Sequence, residues 1–379
     1  MPQALPSEEA LPVADSSGIH FSELDLPEEL EKALAALKFE NPTPIQAQSL
    51  PHTLAGFDLI GCAQTGTGKT LAFALPMIAR LMEDEDSLAL ILAPTRELAM
   101  QIIDTIRKLT PFARHIQHAL IIGGAGYREQ VMALRRGPRI VVATPGRLVD
   151  HLQQGTIRLG KVKFFVLDEA DRMFDMGFAP QLKQIVDQLP PERQTLLFSA
   201  TFSKEVKALA MKSLKDPKEV FVGAPSQAAT GVEQAMVETT NERKLPLLLD
   251  ELNQREGTVL IFAGMKYKAE RLARTLADYG HKVDFIHGGR TQGQRKNALR
   301  SFREQSVRIL VATDVAARGL DIPHVAHVIN YDLPKDPEDY IHRIGRTARA
   351  GAVGKALSFV TREERGDWKK ISRLLAKKP

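Results

Sequence analysis

Residues 63–70 read Ala-Gln-Thr-Gly-Thr-Gly-Lys-Thr, between an apolar pair, Leu59-Ile60, and a run with helical spacing over 71–82. Strand, glycine turn and helix N-terminus in that order confine the chain to one local geometry, a cradle whose backbone N–H groups converge on phosphate oxygens. Gly66 and Gly68, with Thr67 between them, allow that convergence. Lys69 is placed to reach the β- and γ-phosphates, and the Thr70 hydroxyl to ligate Mg²⁺. The pattern departs from G-x-x-x-x-G-K-[ST] at its first position, where Ala63 stands for glycine. Taken alone, the segment leaves open a glycine turn that merely precedes a lysine.

A second segment narrows the choice. Phe164-Phe165-Val166-Leu167 is a short apolar run of the kind shown by a parallel strand buried on both faces, and it leads into Asp168-Glu169-Ala170-Asp171. Ligands of open α/β sheets sit at the carboxyl edge of the strands. Asp168 is therefore expected to hold the Mg²⁺ of a nucleotide, and Glu169 to orient or deprotonate an attacking water. An isolated acidic cluster can equally open a helix; four apolar residues running straight into this one make that the weaker choice.

The chain has 379 residues, more than the about 250–300 that one core usually supports, so two domains are expected. Short apolar runs at 88–93, 119–122, 140–143, 164–167 and 195–198 alternate with helical segments, and the alternation restarts at 258–262, 283–286, 308–312, 326–329 and 356–360. That rhythm predicts parallel sheets covered on both faces. Residues 224–231, small and polar, form the expected linker. Residues 1–20 are rich in Pro, Ala, Ser and acidic side chains and are expected to be a disordered tail; they lack the basic start and apolar centre of a signal peptide. Net charge is +5, from 51 basic and 46 acidic residues, which tolerates a polyanion without requiring one. The single cysteine, Cys62, cannot form an internal disulfide and reads as a small packing residue in a reducing setting. No run reaches the roughly 18 apolar residues of a membrane helix.

These motifs, with others in order along the chain, resemble DEAD-box ATP-dependent RNA helicases, most closely short bacterial members of the RhlE type. The resemblance runs from about residue 21 to about residue 360. It rests on Pro42-Thr43-Pro44-Ile45-Gln46, Pro94-Thr95-Arg96-Glu97-Leu98, Gly123-Gly124, Thr144-Pro145-Gly146-Arg147, the Asp-Glu-Ala-Asp, Ser199-Ala200-Thr201, Arg318-Gly319-Leu320-Asp321 and His342-Arg343-Ile344-Gly345-Arg346-Thr347. It implies an α/β protein of two tandem RecA-like domains, 21–223 and 232–379, each a parallel sheet with helices on both faces. It further implies ATP and Mg²⁺ as cofactors, and a cytoplasmic monomer acting on single-stranded and duplex RNA, with RNA-processing proteins as further partners. The implied activity is RNA-dependent ATP hydrolysis that unwinds short duplexes or remodels RNA–protein complexes. The alternative is an ATP-gated RNA clamp or scaffold.

Residue roles follow from the same resemblance. Gln46 is implied to read adenine, since an amide offers the donor and acceptor that N6 and N7 require, with Phe21 and Phe39 supporting the base. Pro94, Thr95, Arg96, Gly124, Thr144, Pro145, Gly146 and Arg147 in the first domain, and Arg295 and Thr313 in the second, are implied to hold the RNA backbone. Hydroxyls, arginines and helix N-termini suit phosphodiesters without reading bases; any one of these segments also reads as a turn and cap, for example Thr144 before Pro145. Ser199 and Thr201 are implied to bond Asp171 and, with His342, to couple ATP to RNA. Gly319 and Asp321 are implied to serve the nucleotide, the aspartate through its ribose. Arg343 and Arg346 are implied to be fingers that meet the γ-phosphate when the domains close, where a planar guanidinium answers developing charge. Ala348 stands where the family usually has glycine. Residues 363–375 are expected to form an amphipathic helix with Trp368 and Ile371 inward. No RNA-selecting extension is expected beyond it.

Overall fold

The computed structural model describes residues 20–63, 67–201, 204–222, 232–314, 325–347 and 354–376. The first sheet holds β1 (Leu59–Cys62), β2 (Leu88–Leu92), β3 (His118–Ile121), β4 (Ile140–Ala143), β5 (Val162–Leu167), β6 (Gln194–Ser199) and β7 (Lys218–Phe221), in the spatial order β3-β4-β2-β5-β6-β1-β7. The second holds β8 (Val232–Glu238), β9 (Val259–Phe262), β10 (Val283–Ile286), β11 (Ile309–Ala312), β12 (His327–Asn330) and β13 (Gly354–Val360), in the order β10-β11-β9-β12-β13-β8. Every pairing is parallel, for example Ile60 with Leu197 and Leu260 with Leu310.

Successive side chains of each central strand enter opposite cores, which is why the strands read as unbroken apolar runs. Leu59, Ile91, Phe164 and Leu196 pack with Phe73 and Ile103 on one face. Their neighbours Ile60, Leu90, Phe165 and Leu197 pack with Leu182 and Ile185 on the other. The second sheet repeats the division, with Leu260, Leu310 and Val328 on one side and Val259, Ile309 and Ile329 on the other. Burying a side chain of this size fully is worth roughly 1.5–3 kcal/mol, so the two layers on each sheet fix its register. The C-terminal helix, Arg365–Ala376, buries Ile371 and sets Trp368 edge-on to Tyr340, with ring centroids 5.8 Å apart.

Two strands were not among the expected runs. β7 carries Lys218 and Glu219, and β8 carries Glu233 and Gln234. Both lie at sheet edges, where one flank is open and the apolar pattern is diluted. The tail and the linker 224–231 lie outside the described residues. Among the described residues no helix is long and apolar enough to cross a membrane.

Because the strands are parallel, their carboxyl ends share one edge per sheet. The first sheet delivers Ala63, Pro94, Gly123, Thr144, Asp168 and Ala200 there; the second delivers Ala263, His287 and Thr313.

Candidate functional site

At the start of the helix Lys69–Glu83, Gly68 has φ +93° and leaves no room for a Cβ, which would meet Gln46 Nε2 at 2.4 Å and Thr43 Oγ1 at 2.9 Å. Both facts demand glycine. Gln46 is buried; its Oε1 accepts the Thr43 N–H at 2.8 Å and its Nε2 donates to the Gly68 carbonyl at 2.9 Å. These bonds use one of two amide hydrogens and one of two carbonyl lone pairs, leaving one of each. Lys69 is buried too, and its Nζ donates to the Ala63 carbonyl at 2.8 Å. Thr67 and Thr70 are half-buried beside it, while Gly66 lies outside the described residues. Phe21 and Phe39 line one hollow together with Leu34 and Lys38, and Gln46 is not part of that lining.

The end of β5 places two carboxylates in different electrical surroundings. Asp168 is 2% exposed, and its Oδ1 is buried without a hydrogen-bond partner. Burial pushes its carboxyl up to about 7 against the pull of Lys69. Glu169 adopts φ +56°, ψ +54°, a left-handed conformation that a non-glycine residue holds at a cost of about 1–3 kcal/mol. Burial pushes its carboxyl up, but its ion-pair partner Arg172, with Lys69 and Arg346, outweighs burial and holds it at about 2. Glu169 therefore rests as an anion. The orphaned Asp168 oxygen and the Thr70 hydroxyl are hard donors of the kind Mg²⁺ takes. Among the described residues no group of three or more His, Cys, Asp or Glu could hold a metal, so an ion here needs oxygens from a nucleotide and water. The residues present fit that role.

Asp171 ties this edge to the loop after β6. Its Oδ2 accepts the N–H groups of Ala200 and Thr201, at 3.1 and 2.8 Å, and the Thr201 hydroxyl at 3.0 Å. Ser199 Oγ accepts the Asp171 N–H at 3.3 Å and donates to the Thr201 carbonyl.

Further along the edge, the Thr95 hydroxyl caps the helix Arg96–Leu109 by accepting the Leu98 N–H at 3.2 Å. The Arg96 guanidinium lies on the Gly123-Gly124 turn so closely that a Cβ on Gly124, whose φ is +78°, would stand 2.0 Å from Arg96 Nη1. Thr144 and Pro145, both buried, open the helix Pro145–Gln153 with Gly146 behind them, and Pro94 is buried next to Thr95. Arg147 donates to the Ala125 carbonyl at 3.2 Å, pairs with Asp150 at 3.4 Å and covers the Tyr127 ring. Sequence reasoning missed Tyr127, stacked on His151 at 4.3 Å, and Gln130, which bonds both the N–H and the carbonyl of Ile122. Only their spacing from Gly123-Gly124 could have marked them.

In the second lobe, Arg346 is buried, and its charge bears on Glu169 across the interface. Arg343 is held inside its own lobe. Its Nε and Nη2 form a fork onto the Asp314 carboxylate at 2.6 and 2.7 Å, and its Nη1 donates to Asn330 Oδ1 and the Asp332 carbonyl. Four of its five N–H groups are thus engaged inside its own lobe, over the Phe262 ring. Arg295 is buried against Glu97 of the first lobe, Nη2 to Oε2 at 2.8 Å. Thr313 follows β11 in a buried position, and His342 stands half-buried 4.0 Å from Asp339. Gly319 and Asp321 lie outside the described residues.

A family model described as DEAD/DEAH box helicase matches residues 43–209, and one described as helicase conserved C-terminal domain matches residues 243–351. The chain is 43% identical over 348 residues to the ATP-dependent RNA helicase CshA of Listeria monocytogenes, covering 91% of this chain and 67% of that protein. The relative carries the name CshA, not RhlE. Among solved structures, S. cerevisiae Dbp5 bound to RNA and ADP BeF3 is 34% identical, with 95% of this chain and 94% of that chain covered and a TM-score of 0.84. A DEAD box protein from Methanococcus jannaschii is 39% identical over 95% of this chain and 98% of that one, yet its TM-score is 0.54. This chain thus superposes more fully on the Dbp5 chain than on the second one, although the second is more alike in sequence.

Proposed function

The chain belongs to the DEAD-box family of ATP-dependent RNA helicases, and on that premise we propose how its residues divide the work of ATP-driven closure on RNA. It is an RNA-dependent ATPase that remodels RNA. The two lobes, 21–223 and 232–379 with 224–231 between them, close on ATP and one RNA strand, and closure assembles the hydrolytic site.

Lys69 exchanges the Ala63 carbonyl for a phosphate oxygen when nucleotide enters. The spare donor and acceptor of Gln46 face the adenine edge. Asp168 and Thr70 would hold Mg²⁺, which when bound neutralises charge on the β- and γ-phosphates. Glu169, kept anionic by Arg172, orients the attacking water and receives its proton. Arg346 supplies positive charge from the second lobe, with Arg343 bracing the segment that carries it. Gly319 and Asp321 complete the nucleotide contacts, the aspartate at the ribose, and His342 joins Asp171, Ser199 and Thr201 in relaying closure to the RNA side.

On that side Arg96, Gly124 and Arg147, with the turns at Pro94, Thr95, Thr144, Pro145 and Gly146, grip phosphates of a single strand, and Thr313 meets them from the second lobe. The grip bends the strand so that a short duplex loses its partner. The protein acts as a cytoplasmic monomer on single-stranded and duplex RNA, beside other RNA-processing proteins. The observation that carries this reading is the convergence of Lys69, Asp168 and Glu169 at one sheet edge, with the charge of Arg346 in the second lobe adding to what holds the Glu169 carboxyl low.

The test is ATP turnover and strand separation with matched RNA and DNA duplexes. RNA should stimulate hydrolysis and DNA should not. Equal stimulation by both, or hydrolysis indifferent to nucleic acid, overturns the reading.

A further inference from the structure

Two charged side chains at the lobe interface have no part in the chemistry above. Glu97 is the second residue of the helix Arg96–Leu109, and Arg295 lies on the helix Gln292–Arg303 of the other lobe. Their side chains are 6% and 7% exposed and meet at 2.8 Å. The contact is an ion pair by distance but poorly aligned for hydrogen bonding, since both Glu97 oxygens and Arg295 Nε lack a well-formed bond. Burial works against the Arg295 charge, Glu97 supports it, and the neighbouring Arg96 opposes it again.

A buried ion pair of this quality adds little net stability, because desolvation cancels much of the attraction. Removing one member is another matter. The survivor is a buried charge, and if that is Arg295 it faces Arg96, a like charge. Such a pair makes an interface conditional rather than strong. Its position sharpens the point: Glu97 follows Arg96, which lies on the Gly123-Gly124 turn of the RNA-side edge.

We infer that Glu97 and Arg295 form a closure latch, a positioning pair that lets the lobes meet on the RNA side in one register and so makes tight RNA binding depend on ATP. This rests on the closure mechanism proposed above. In the open protein both side chains are hydrated and cost nothing. On closure they are desolvated together, which a misaligned approach cannot satisfy.

The experiment uses the full chain as wild type, Glu97→Arg, Arg295→Glu, the exchanged double variant Glu97→Arg/Arg295→Glu, and the milder Glu97→Gln. Two quantities are read: nucleotide affinity without RNA, and the ratio of single-stranded RNA affinity with a non-hydrolysable ATP analogue to that with ADP. Nucleotide affinity should stay within about twofold throughout, while each reversal lowers the ratio by about 10- to 100-fold and the exchange restores most of it. Glu97→Gln should fall between. Single variants that keep the wild-type ratio, or an exchange no better than the worse single variant, overturn the latch while leaving closure standing. A wild-type ratio near one overturns closure itself, and the latch with it.

Discussion

The carboxylate of Asp171 accepts both the backbone N–H and the hydroxyl of Thr201, at 2.8 and 3.0 Å. The first residue belongs to the helix that follows the catalytic carboxylates, and the second to the loop after β6, so one side chain holds two segments in a fixed relation.

Thr201→Val keeps the shape and the backbone bond but removes the hydroxyl donor. Leaving a buried acceptor short of a partner costs about 1–3 kcal/mol. RNA-stimulated ATP turnover should persist within several fold while duplex separation per ATP falls. Equal loss of both in side-by-side assays would show a hydrolytic role for the loop instead.

Glu169→Gln retains size and the neighbouring Asp168, but an amide neither carries the charge that Arg172 and Arg346 stabilise nor takes a proton from water. Hydrolysis should drop on the order of 10²–10⁴-fold, with ATP and RNA binding preserved. Single-turnover rates measured next to equilibrium binding decide it; turnover within a few fold of wild type would reassign the base.

Arg343 and Arg346 should separate cleanly. Arg343→Ala strands the carboxylate of Asp314 and the amide oxygen of Asn330, and breaking a buried pair this way costs about 3–5 kcal/mol, so the second lobe should unfold earlier in denaturant. Arg346→Ala should leave that transition in place and lower kcat. Matching unfolding curves for wild type and Arg343→Ala would remove the brace.

Gly124→Ala adds a methyl where Arg96 Nη1 lies and strains a left-handed φ, so it should push the guanidinium off the turn. RNA affinity should weaken, and its log–log dependence on salt should flatten by about 0.7 if one phosphate contact is lost. Nucleotide affinity without RNA should not move. An unchanged salt slope would place Arg96 away from the strand.

Gln46 holds Gly68 with part of its amide and keeps one donor and one acceptor. ATP should therefore be strongly preferred over GTP, whose reversed edge leaves buried groups unpaired. Comparable RNA-stimulated rates with both nucleotides would end the adenine-reading assignment.

The central strands were legible because a strand buried on both faces must be apolar at every position, as Phe164 to Leu167 are, and because parallel strands put their carboxyl ends on one edge. Glycine spacing marked Gly68 and Gly124, where positive φ admits little else. The edge strands β7 and β8 were not legible, since an open flank lets Lys218, Glu219, Glu233 and Gln234 dilute the pattern. Nor were the partners of the arginines. A guanidinium on a basic helix reads the same whether it meets a phosphate, a carboxylate of its own lobe or one from the other. Only the folded chain, by bringing Asp314 to Arg343 and Glu97 to Arg295, decided which of these each one meets. Local sequence sets backbone conformation and which face is apolar, while a charge's partner is fixed by contacts between segments far apart in the chain.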